Sequence, residues 1–157
     1  MAEKTELLAA AFAFVMYLAS GVGHIETWGL RELTRPRDMP RRIQDGGVKM
    51  LQLAATDYAF AAILEDKSVV TWGSPDHGGD SSAVKDELRH VEQMHPAKGG
   101  AFAAILADRS VVTWGHPSAG GDSFEIHGFL ADFADVDQIQ GSYGAFAAIL
   151  EDRKSVV

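Results

Sequence analysis

Residues 59–73 and 101–115 spell the same fifteen-residue phrase with two changes. Both begin Ala-Phe-Ala-Ala-Ile-Leu, pass through a short polar turn, and finish Ser-Val-Val-Thr-Trp-Gly. Only Glu65/Ala107 and Lys67/Arg109 differ. A third copy opens at Ala145 and reaches Val157, and a blurred one runs from Ala13 to the pair Trp28-Gly29. Ala-Phe pairs therefore start at residues 13, 59, 101 and 145. A period of about 42 residues is the mark of a tandem array. Each unit of such an array buries its faces against its neighbours, because a lone hairpin is marginal in water.

Ala-Phe-Ala-Ala-Ile-Leu is apolar at every position, so as a strand it predicts cover on both faces. The Val-Val-Thr-Trp that follows is β-branched and aromatic, which favours a second strand. Between them Glu65-Asp66-Lys67-Ser68 reads as a hairpin turn. Its left-handed slot, where glycine is usual, falls to Lys67 and Arg109, at a cost on the order of 1 kcal/mol each. The extra Lys154 predicts a different turn in the last copy. After Trp-Gly come Ser-Pro-Asp-His-Gly-Gly-Asp and His-Pro-Ser-Ala-Gly-Gly-Asp, which predict tight reversals. Asp80 or Ser81 is placed to cap a short helix through about Leu88, and Asp122 or Ser123 does so less well because Gly128 interrupts. Val91-Glu92-Gln93-Met94 and Val136-Asp137-Gln138-Ile139 read as outer strands of period two. Residues 48–53 are the counterpart one unit earlier.

The order Val-x-x-Ile, Ala-x-Ile-Leu, acidic turn, Ser-Val-Val-Thr-Trp-Gly and Gly-containing loop resembles the repeat of the regulator of chromosome condensation family. The likeness covers roughly residues 13–157 and is strongest in Trp-Gly and the two hairpin strands. Family repeats are usually longer and carry glycine in the hairpin turn, where this chain has lysine or arginine, and a compact Gly-Gly-Asp-Ser loop follows. The resemblance implies β-propeller blades. It transfers no activity, because nucleotide exchange on small GTPases belongs to loops with no counterpart here.

The expected fold is mainly β: one domain over residues 1–157, in units of about 13–47, 48–90, 91–134 and a partial 135–157. Such units form propeller-like blades or an open arc of small antiparallel sheets with short helical turns. About three and a half units are too few to close a propeller, which predicts a piece of a larger array. Residues 7–19 form an apolar run shorter than the roughly 20 residues of a membrane span. Ala13 to Leu18 aligns without a gap on Ala59 to Leu64, so a degenerate repeat strand is preferred there over a helix capped by Thr5. The acidic Glu3 and Glu6 argue against a secretory leader.

Chemistry is thinly represented. The chain has no cysteine, and its net charge of −8 disfavours nucleic acid and anionic membranes as partners. The six histidines, His24, His77, His90, His95, His116 and His127, include no pair at helical zinc spacing. Ser81, Ser82 and Ser123 sit in no nucleophile elbow, and Gly21-Val22-Gly23 lacks a dinucleotide-binding context. No cofactor is expected. Trp28, Trp72 and Trp114 read as packing residues, and Asp80 and Asp122 as turn residues ahead of a cation site. One composition shift stands apart. Residues 31–42 hold Arg31, Arg35, Arg37, Arg41 and Arg42 with two prolines, a net +3. This stretch is the best candidate for contact with an acidic partner or phosphate.

The expectation is a non-enzymatic protein-interaction or scaffold module, soluble and intracellular, that docks on a partner or self-associates. Two alternatives stand beside it. One is a structural subunit of a larger assembly, with membrane contact through residues 7–19. The other is a regulatory module for a small GTPase or ubiquitin ligase.

Overall fold

Every verbatim copy of the Ala-Phe hexapeptide runs in a β-strand, the third from Phe146 onward. A computed structural model describes residues 39–44, 47–122 and 134–152. In chain order its elements are α1 (Arg41–Gln44), β1 (Met50–Ala55), β2 (Ala59–Leu64), β3 (Val69–Gly73), β4 (Val91–Ala97), β5 (Ala101–Leu106), β6 (Val111–Gly115), β7 (Ala134–Gly141) and β8 (Phe146–Asp152). The molecule is mainly β. Its strands make three antiparallel sheets, β1-β2-β3, β4-β5-β6 and β7-β8, none of them closed. The expected N-terminal unit and residues 7–19 lie almost wholly outside the described residues. Among the described residues no helix is long and apolar enough to cross a membrane.

The sheets stack face to face because β2 and β5 are apolar on both sides. Phe60, Ala62 and Leu64 point into one core with Met39, Ile43, Met50, Val70 and Trp72. Ala59, Ala61 and Ile63 point the other way, onto Val91, Met94, Phe102, Ala104, Val112 and Trp114 of the second sheet. The opposite face of β5, Ala103 and Ile105, meets Val136 and Ile139 of the third. Cover on both faces thus holds for β2 and for all but the last residue of β5. It fails for β8, where Ala147 to Leu150 are exposed.

The hairpins share one design. Ala59↔Gly73, Phe60↔Trp72 and Ala62↔Val70 in the first sheet match Ala101↔Gly115, Phe102↔Trp114 and Ala104↔Val112 in the second. Lys67 and Arg109 do take the left-handed conformation, with φ of 63° and 68°. The turn is held by Asp66 Oδ1, which accepts from Ser68 N at 3.0 Å and Ser68 Oγ at 2.5 Å; Asp108 and Ser110 do the same. Glycine follows each tryptophan because a Cβ on Gly73 would stand 2.6 Å from Tyr58 O, at a φ of 107°.

Two expectations need correction. The outer strands are not of period two: Val91 and Met94 are buried while Glu92 and Gln93 are exposed. A β-bulge falls between Val91 and Gln93, and others occupy the same place at Met50/Gln52 and Val136/Gln138. The bulge inserts one residue and returns the next apolar side chain to the core face. The expected helix through Leu88 is instead a single 3-10 turn, Ser82–Val84, followed by further turns. Neither proposed cap starts an α-helix. Asp80 Oδ1 accepts from Ser82 N at 2.8 Å, and Ser81 Oγ is engaged with Thr71 Oγ1 at 3.1 Å.

Polar ties join successive sheets at repeated positions. Each left-handed turn residue reaches the bulge of the next sheet: Lys67 Nζ lies 3.1 Å from Glu92, and Arg109 Nη1 lies 3.5 Å from Asp137. Their carbonyls accept from Val91 N at 3.0 Å and Val136 N at 3.3 Å. Gln52 adds a clamp: its Nε2 donates to Met94 O at 2.6 Å and its Oε1 accepts from Met94 N at 3.0 Å. Met94 lies on an edge strand, so this amide satisfies backbone groups that would otherwise be open to pairing.

Candidate functional site

The arginine-rich stretch is only partly in view. Arg31, Arg35 and Arg37 lie outside the described residues. Arg41 opens α1 and is exposed, and Arg42 follows it in the same helix. The helix is anchored by Ile43, which is 1% exposed and packs with Met39 under β2.

The tryptophans are packing residues among the described ones. Trp72 stacks on Phe60 with ring centroids 5.5 Å apart, and Trp114 on Phe102 at 5.3 Å. Both are nearly fully buried. Trp114 also crosses between sheets, its Nε1 donating to Gly78 O at 3.1 Å. Gly78 sits at a φ of 94°, and a Cβ there would meet the Phe102 ring at 2.6 Å. A tight turn after the first sheet therefore receives the Phe-Trp pair of the second.

That arrangement is set up again one sheet later, and among the described residues nothing fills it. Gly120 has a φ of 91°, and a Cβ on it would meet the Phe146 ring at 2.8 Å. The core here matches the previous one position for position: Ala103 and Ile105 stand for Ala61 and Ile63, and Val136 and Ile139 for Val91 and Met94. Counterparts of Val112 and Trp114 are absent among the described residues. In their place is a cavity of about 400 Å³, lined by Ala103, Val111, Gly120, Ile139, Phe146 and Ala148 among others. Beside it, among the described residues, β8 pairs with β7 alone. Ile149 is 59% exposed and Leu150 37%, whereas the same letters in β2 are each 1% exposed.

A second hollow, of about 550 Å³, lies between the turns after β3 and strand β6, and Trp114 forms part of its wall. His77 and His116 meet at its rim with ring centroids 5.7 Å apart, and Tyr58 lies 4.5 Å beyond His77. Each Nδ1 is occupied, by Ser74 Oγ at 3.0 Å and Ser118 Oγ at 2.8 Å. Asp80 faces the same hollow as a turn residue. The Ser82 backbone N–H, and then its hydroxyl, hold the Asp80 carboxyl below its ordinary value of 3.8. Among the described residues no group of three or more His, Asp or Glu is placed to hold a metal ion. His95, on β4, is kept below its ordinary 6.5 by burial alone.

Sequence reading ranked the arginines first and did not single out the β8 face. Compared with known proteins, the sequence matches no family model and no curated protein.

Proposed function

We propose that this chain is a non-enzymatic interaction module, built of tandem sheet units of the regulator-of-chromosome-condensation type, that engages a protein partner through an open sheet edge. The observation that carries the reading is the contrast between β2 and β8. The same hexapeptide is sealed between sheets in one place and, among the described residues, bare along an edge and a face in the other. An exposed apolar edge strand is a template for pairing with another chain. The arginines at residues 31–42 are proposed as a second, basic contact for an acidic partner surface.

Sedimentation velocity of the full chain tests this. The expected result is reversible association as concentration rises from about 1 to about 100 µM, reversed by Ile149→Lys on the open face. A wild-type chain that stays a monodisperse monomer throughout would count against the reading.

A further inference from the structure

We propose that His116 is a proton-driven switch where the three sheets meet: its neutral ring caps the turn after β6, and protonation releases that turn. The inference goes beyond the interaction-module reading and does not depend on it.

The turn Pro117–Ala119 is entered from His116, whose backbone is extended, with φ of −68° and ψ of 123°. The His116 Nδ1 accepts from Ser118 N at 3.3 Å, and Ser118 Oγ lies 2.8 Å from the same nitrogen. A ring nitrogen that accepts an N–H carries no proton, so the imidazole is neutral with its hydrogen on Nε2. Both nitrogens of an imidazolium are donors, so a proton taken up at Nδ1 ends the cap. Histidine side chains as a class change charge between about pH 5 and 8, and the cap is at stake in that window. The repeat does not require a titratable cap. The turn after β3 is entered from Ser74, which makes no side-chain cap and whose hydroxyl lies 3.0 Å from His77 Nδ1.

The surroundings give the charged ring a second set of partners. His77 faces His116 with ring centroids 5.7 Å apart, and Tyr58 lies behind His77. Two charged imidazoles so placed repel across the boundary between the first and second sheets. Asp76 and Asp80, from the turn after β3, line the same hollow as His116 and attract positive charge. From the loop between β4 and β5, Gly100 O accepts from His116 N at 2.8 Å, a bond that protonation leaves in place. On its own turn the ionisable neighbour is Asp122. Neutral, the ring is tied to Ser118. Charged, it is pushed from His77 and drawn to the carboxylates across the hollow.

The turn that His116 caps joins the second sheet to the third. Ala119 is 3% exposed and packs with Ala97 and Ala101. Gly120 follows at a φ of 91°, with the Phe146 ring beside it. Ala119 N and Gly121 N both donate to His116 O, at 3.0 Å each, so the backbone of His116 holds the turn as well. Loss of the side-chain cap therefore loosens the turn without unfolding it.

Nitrogen-15 NMR of the full chain tests this. At about pH 8 the His116 ring is expected in the Nε2–H form. From about pH 8 to about pH 5 the Ala119, Gly120 and Gly121 amides are expected to exchange about 5-fold faster, after correction for the intrinsic effect of pH. His116→Asn keeps an acceptor that does not titrate, and the same amides are expected to hold one corrected rate in it. His77→Gln removes the repulsion alone and is expected to leave most of the acceleration. Four results would overturn the proposal. They are an Nδ1–H ring in the wild type at about pH 8, wild-type rates indifferent to pH, equal acceleration in folded His116→Asn, or its complete loss in His77→Gln. The first two are read on the unaltered chain, so they decide the matter even where a variant fails to fold.

Discussion

His95 ties the second sheet to pH. Its ring is partly buried on β4 with Gln93 Oε1 3.3 Å away, and burial lowers its pKa below the ordinary 6.5. A histidine held neutral in the fold takes up its proton more readily when unfolded. Between the folded value and 6.5 the unfolded chain therefore binds more protons, and stability rises with pH. Its contribution is complete above 6.5 and is lost as pH falls toward the folded value. Urea melts between about pH 7.5 and about pH 5.5 are expected to show stability falling with acid, and His95→Gln to flatten that slope. An unchanged slope in the variant would remove His95 as the cause. At the same scale, Lys67 and Arg109 show why a strained residue persists. Each holds a left-handed turn at a cost on the order of 1 kcal/mol, and from it reaches the bulge carboxylate of the next sheet. Both ion pairs are about half exposed, so each is worth roughly 0.2–1 kcal/mol and offsets the strain in part.

Strands built from identical letters differ in energy because their neighbours differ. Phe102 is fully buried between Trp114 and Gly78, whereas Phe146 is only partly covered. Phe102→Ala is expected to cost about 3–5 kcal/mol, and Phe146→Ala less than about 1.5 kcal/mol, read from denaturant melts of the two variants. Equal losses would mean that β8 is as enclosed as β5. This contrast also marks how far the sequence could be read. The hexapeptide as a strand, the Trp-Gly hairpin and the left-handed turn were legible, because each depends on local chemistry: apolar residues on both faces, β-branched content, and Asp66 bonding to Ser68. The bulge was not. Val-Glu-Gln-Met places its apolar residues three apart where strict alternation needs two, a sign passed over in the period-two reading and made plain by the burial of Met94 with Val91. The helix through Leu88 was over-read, because Asp80 and Ser81 have alternative partners in Ser82 and Thr71. Openness at β8 is a property of what lies beside the strand, which its own six letters do not encode.

Across the whole molecule the sheets follow one another, each lending a turn to the next. Gly78 receives Trp114, and Gly120 presents the same geometry to a cavity. The central claim is that one hexapeptide is closed in two settings and, among the described residues, open in the third. Hydrogen–deuterium exchange of the full chain, read by mass spectrometry, tests it within a single sample. Residues 59–64 and 101–106 should be protected together until global unfolding, because their strands are paired on both edges and covered on both faces. Residues 146–150 should exchange far sooner, with the amides on the edge of β8 away from β7 leading. Protection of all three copies to the same degree would contradict the account, since it would mean that the third is already sealed.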